Sequence, residues 1–115
     1  MTDADHLWTL EHDYWTCGEG QRRETTDTCC VMAFGSPTGI VTGEELHEAH
    51  DAAPDWTSVE MLDRVLKKPD VGVAVLGYRA HARTQDGGEH RVICTSVWVR
   101  HDSDWCHIQH QQTPE

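Results

Sequence analysis

The sequence predicts an α+β fold, with helices gathered in the first half of the chain and one antiparallel sheet in the second. Three runs of alternating side chains, Val71 to Thr84, Glu89 to Arg100 and Asp104 to Thr113, close the chain and are joined by two tight turns. Ahead of them Leu7, Leu10, Tyr14 and Cys17 recur at helical spacing, flanked by Trp8 and Trp15, and Gly18 and Gly20 end the run. This pattern predicts a first helix from Ala4 to Cys17.

The remaining elements follow in order. Gln21 to Thr28 is polar, and a short second helix is expected there. Cys30 to Phe34 reads as a short strand, Ser36-Pro37-Thr38-Gly39 as a turn, and Ile40-Val41 as a second short strand. Thr42 and Glu45 form a capping box, in which hydroxyl and carboxylate satisfy free amides at a helix start, so a helix should run from Gly43 to about Asp51. Pro54 closes the connection. Trp56 to Leu66 alternates as a further strand, with Lys67-Lys68-Pro69-Asp70 as its turn.

The turns predict which side chains share a face. Asp86-Gly87 as a two-residue turn pairs Gln85 with Gly88, and the longer turn at His101-Asp102-Ser103 pairs Arg100 with Asp104. One face then collects Ala74, Leu76, Tyr78, Ala80 and Ala82 with Ile93, Thr95, Val97 and Val99, and with Trp105, His107, Gln109 and Gln111. The other holds Val73, Val75, Arg79, His81 and Arg83 with Val92, Cys94, Ser96 and Trp98, and with Cys106, Ile108 and His110. Both faces are partly apolar, which predicts that both lose water, one to the helices and one to a second subunit.

Composition narrows the function classes. The 115 residues are expected to form a single domain over the whole chain, 1–115, with one modest core. Five of the eight aromatic residues are Trp, so burial is concentrated in a few large anchors. A formal charge of −11 argues against nonspecific binding to nucleic acid or to an anionic membrane surface. No apolar stretch approaches a membrane span, and Met1-Thr2-Asp3-Ala4-Asp5-His6 lacks a signal-peptide pattern, so a cytoplasmic location is expected. The five Cys include no Cys-x-x-Cys pair and are expected to be reduced and structural.

Several of these segments together resemble the nuclear transport factor 2-like superfamily. They are the helix with Leu10, Glu11, Tyr14 and Trp15, then Val31-Met32-Ala33-Phe34, Val41-Thr42-Gly43-Glu44-Glu45, and the meander closing on Trp105 and Gln109-His110-Gln111-Gln112-Thr113-Pro114. Within it the chain is similar to small bacterial proteins grouped with SnoaL-like polyketide cyclases and ketosteroid isomerases. The resemblance covers nearly the whole chain and implies a cone: a curved antiparallel sheet wrapped around N-terminal helices, with a cavity between concave face and first helix and a dimer through the convex face. The implied lining is Tyr14, Trp15, Met32, Phe34, Trp56, Tyr78, Thr95, His107, Gln109 and Gln111. The implied dimer surface centres on Cys94, Trp98 and Ile108.

Isomerase chemistry needs a carboxylate base and an oxyanion hole of tyrosine and neutral acid. Tyr14 falls near the place of that tyrosine, but Ala33 stands near the place of the base and Thr95 near that of the acid, so this chemistry is not expected. Two readings stay open. The cavity binds a small apolar molecule, with Tyr14 and His107 as catalytic candidates and no cofactor, or the cone is filled by its own side chains and the chain is a dimeric association module. His47 and His50 lie a helical turn apart near Glu44 and Asp51, but match no zinc signature, and no metal is expected.

Overall fold

A computed structural model describes residues 2–16, 24–48 and 56–115, with side chains 46–48 left out. The elements are α1 (Asp3–Thr16), β1 (Thr26–Ala33), β2 (Ile40–Thr42), α2 (Gly43–Glu48), β3 (Trp56–Asp70), β4 (Val73–Thr84), β5 (Glu89–His101) and β6 (Asp104–Pro114). One six-stranded sheet runs β2-β1-β6-β5-β4-β3. Every pairing is antiparallel except β1 with β6, which is parallel, so the sheet is mixed where an antiparallel one was expected.

Local chemistry fixes several boundaries. The capping box forms as expected: the Glu45 amide donates to Thr42 Oγ1 at 3.2 Å and the Thr42 amide to Glu45 Oε1 at 3.4 Å. Gly43, the first residue of α2, lies so close to β1 that a Cβ would stand 2.0 Å from the Asp27 carbonyl oxygen. β1 begins earlier than expected, so Thr26–Thr28 are strand and not helix. Glu24 and Thr25 are helical, whereas residues 21–23 of the expected second helix, the end of the first at Cys17 and the far end of α2 at His50 and Asp51 lie outside the described residues. β3 runs on through Lys67–Asp70, and the turn falls at Val71-Gly72 instead.

The register differs from expectation by one residue at both hairpins. In β4–β5 the loop is three residues, Gln85-Asp86-Gly87, with Gly87 at φ 93° and Arg83 opposite Glu89. The three-residue loop is held by Thr84, whose amide donates to the Gly88 carbonyl at 2.9 Å and whose hydroxyl accepts from the Gly88 amide at 3.0 Å. The β5–β6 turn is two residues, Asp102-Ser103, with Asp102 at φ 58° and His101 opposite Asp104. Because strand side chains alternate with period two, each shift swaps a strand's faces relative to its neighbour.

The inner face consequently carries Ala74, Leu76, Tyr78, Ala80 and Ala82 from β4, as expected, but Val92, Cys94, Ser96 and Trp98 from β5. Ile93, Thr95, Val97 and Val99 point outward. A bulge at Ile108 in β6, where Val97 pairs with Gln109 but Trp98 with His107, then brings both His107 and His110 to the inner face. In an unbulged strand, residues three apart would face opposite ways.

Against this face packs α1 through Leu7, Glu11 and Trp15, one stripe at i, i+4 and i+8. Leu7 packs with Ala74, Leu76, Trp98 and Trp105, and Trp15 with Met61, Tyr78, Ala80, Ala82, Val92 and Cys94. Between these two apolar clusters lies Glu11, fully buried.

Candidate functional site

Glu11 is the centre of the interior. Its Oε2 accepts from the Tyr78 hydroxyl at 2.5 Å and the Ser96 hydroxyl at 2.7 Å, and its Oε1 from the Trp98 indole N–H at 2.8 Å. Three elements converge here because α1 supplies the carboxylate, β4 the phenol, and β5 the hydroxyl and indole. The Trp15 indole N–H donates in turn to the Tyr78 hydroxyl at 2.9 Å. Both Trp rings thus bury their bodies while their N–H groups find acceptors.

Strand β6 adds two imidazoles. His110 Nδ1 lies 2.6 Å from Ser96 Oγ and 3.4 Å from Glu11 Oε2; His107 Nε2 lies 3.1 Å from Ser96 Oγ and 3.9 Å from Glu11 Oε1. His107 stacks on Trp98 with centroids 4.3 Å apart and planes at 4°, and Tyr14 covers both imidazoles from α1. Outward from His110 the chain continues through Gln112 at 3.0 Å to His90 at 3.1 Å. The donors run in one direction: His90 to Gln112, Gln112 to His110, His110 to Ser96, and Ser96 to Glu11.

Electrostatics follow from this arrangement. Burial pushes the Glu11 carboxyl up, but the His110 hydrogen bond, the neighbouring imidazoles and Tyr78 outweigh it and hold the group down at about 2. Burial lowers His107 to about 4, so its ring is neutral near pH 7 and hydrogen-bond donors, more than an ion pair, keep Glu11 charged. Burial and then the Glu11 charge raise Tyr78 well above the usual phenol range, which keeps it a donor. Burial raises the Cys94 thiol to about 12, which removes it as a nucleophile.

Of the residues expected to line a cavity, Tyr14, Trp15, Met32, Tyr78 and His107 do come together, with Tyr14 donating to Met32 Sδ at 3.3 Å. Phe34 lies half-buried beside His110, and Trp56 stacks on His90. Thr95, Gln109 and Gln111 are corrected to the outer face, where the Thr95 hydroxyl donates to Gln111 at 3.1 Å. The expected partner surface is corrected too: Cys94 and Trp98 have no solvent exposure and face α1, leaving Ile108 of that trio half-buried on β6. The β4–β5 register shift turns Thr95 outward and Cys94 and Trp98 inward, whereas Gln109 and Gln111 are turned outward by the bulge at Ile108, the two one-residue shifts cancelling for the part of β6 ahead of it.

Sequence reasoning missed Glu11, Ser96, His110, Gln112 and His90. The signal for Glu11 was available, because it occupies the middle of the Leu7–Trp15 stripe, where a charged residue is out of place unless partnered.

No family model matches the chain, and no curated protein does. Solved structures do. An NTF2-like protein of unknown function in nutrient uptake from Rhodospirillum rubrum superposes with a TM-score of 0.80 at 13% identity, over 100% of this chain and 99% of that one. A candidate ketosteroid isomerase from Parabacteroides distasonis gives 0.79 at 17% identity, over 99% and 89%. This chain has the nuclear transport factor 2-like fold. The CamKII hub homology domain of Chlamydamonas reinhardtii shares the nuclear transport factor 2-like architecture at a TM-score of 0.75 and 16% identity, over 100% and 99%. Among the described residues, no helix is long and apolar enough to cross a membrane.

Proposed function

We propose that the chain is a homodimeric association module, a cone filled by its own side chains that pairs with a second copy through the outer face of its sheet. The observation that carries this reading is that Glu11, Ser96, Trp98, His107 and His110 are all 0% exposed, so side chains occupy the space a ligand would need. The outer face has the composition of an interface. A row of Lys67, Val75, Val97, Gln109 and Val31 crosses five strands, and Val31, Val65, Val75 and Ile93 are 49%, 52%, 36% and 43% exposed. Arg79 pairs with Asp63 and Glu115 beside the patch, giving it a charged border. Proteins described as hub or association domains of a calmodulin-dependent kinase share the fold, which supports an associative role.

Light scattering behind size exclusion is expected to give twice the chain mass, and Val75→Asp is expected to give the monomer while the helical and strand signals persist. Burying an unpaired carboxylate in such an interface costs several kcal/mol. A monomeric parent protein at micromolar concentration overturns the proposal.

A second reading has its own support: an ionised carboxylate beside two imidazoles and a phenol is the equipment of an acid–base site for a small apolar molecule. It requires Tyr14 and Trp15 to part from the inner face. A melting temperature raised by apolar carbonyl compounds, and no longer raised in Tyr78→Phe, is the expected outcome; the absence of any shift across such compounds removes this reading.

A further inference from the structure

We propose that Glu11, His107 and His110 form a binding site for a first-row divalent metal ion, zinc before others, with the Ser96 hydroxyl as the fourth ligand. Each of the three supplies one ligand atom, and these atoms all lie within 4.8 Å of one another. The carboxylate approaches His110 Nδ1 at 3.4 Å and His107 Nε2 at 3.9 Å. Four ligands about 2.1 Å from a tetrahedral zinc stand roughly 3.4 Å apart, so Glu11 and the imidazoles need only a small closing movement, while the Ser96 hydroxyl, nearer than that to all three, rotates outward to make room for the ion. Ser96 Oγ lies 2.7 Å from Glu11 Oε2, 2.6 Å from His110 Nδ1 and 3.1 Å from His107 Nε2, the one polar atom in contact with all three.

The surroundings also fit. A metal-bound imidazole donates its other N–H to an acceptor, which fixes the ring and raises its basicity. The outer nitrogen of His110 meets the Gln112 side chain at 3.0 Å; turning that amide over offers the ring an oxygen and offers His90 the amide N–H in exchange. Nδ1 of His107 is buried and makes no hydrogen bond among the described residues. Glu11 keeps the hydrogen bonds from Tyr78 and Trp98 that orient it. The ligand types, two imidazole nitrogens with carboxylate and hydroxyl oxygens, suit zinc. All four groups are buried, so the site has no open position for a substrate and the ion is structural, taken up as the cone closes over α1.

The signal for this site was absent from the linear spacing. His107 and His110 are three apart in a strand, which places them on one face only because of the bulge at Ile108, and Glu11 is some hundred residues away.

The test uses the full chain, unfolded with chelator and denaturant and refolded with cobalt(II) as the probe. The expected result is one ion per chain, with the visible bands of four-coordinate cobalt, displaced by added zinc. The bands are expected to vanish in His107→Gln and His110→Gln and to persist in His12→Gln, whose imidazole lies outside the cluster. Gln112→Leu, which keeps every ligand and removes only the acceptor behind His110, is expected to weaken binding about 10- to 100-fold. Should the two His→Gln variants fail to fold, the parent spectrum and the Gln112→Leu affinity still decide. A refolded parent without these bands overturns the proposal, as does binding that survives in both His→Gln variants.

Discussion

Glu11→Ala is expected to lower the free energy of unfolding by about 3–5 kcal/mol, the range for stripping one partner from a buried charged network. The substitution leaves the Tyr78 hydroxyl, the Ser96 hydroxyl and the Trp98 indole N–H without their acceptor in a dry interior, and opens a void between the two apolar clusters. Glu11→Gln separates the two contributions. It fills the same volume and keeps one carbonyl oxygen for Tyr78 and Ser96, but turns an amide N–H towards the Trp98 donor, so its cost is expected to be smaller, about 2 kcal/mol. Urea midpoints at constant slope measure both. A Glu11→Ala loss under about 1 kcal/mol would mean that the network contributes little beyond filling space.

The second large effect is an acid instability set by His107. Its ring is held at about 4 in the folded chain against an ordinary 6.5, so the folded state binds fewer protons than the unfolded one wherever the pH lies between those values. Above about 6.5 both forms are neutral and the group has no influence; as the pH falls from there towards 4, stability is lost at up to about 1.4 kcal/mol per pH unit. Glu11, held at about 2 against 4.5, adds a further loss below 4.5, where the unfolded carboxylate takes up its proton first. Lowering the pH also relieves the mutual repulsion of a chain with formal charge −11, which acts in the opposite direction. His107→Gln isolates the imidazole, because the repulsion is common to both proteins. In metal-free protein, the parent is expected to lose about 2 kcal/mol more than the variant between pH 7.5 and 5. Parallel profiles for the two would show that His107 does not titrate abnormally.

These two effects centre on residues whose importance differed in how far the chain alone revealed it. The first helix, the capping box at Thr42 and Glu45, and the approximate extents of three C-terminal strands were legible because each rests on neighbours within a few residues: apolar spacing, a hydroxyl three positions from a carboxylate, and Gly or Asp at a turn. β4 was also placed on the correct faces, since its small inner residues Ala74, Ala80 and Ala82 alternate cleanly. The site was only half legible. Tyr14, Trp15, Met32, Tyr78 and His107 were anticipated from aromatic and helical pattern and from resemblance, whereas Ser96, Trp98 and His110 were assigned to the wrong side.

The sequence by itself determined the six strands in their order along the chain and the amphipathic first helix. Only the tertiary structure decided the register, the parallel joining of β1 to β6 and the bulge at Ile108. The reason is that a strand's side-chain period is two, so a turn longer or shorter by one residue interchanges inside and outside along a strand's entire length, while the local sequence differs hardly at all. Packing settles that choice: Trp98 and Glu11 satisfy each other across 87 positions of chain, and no local rule contains that contact.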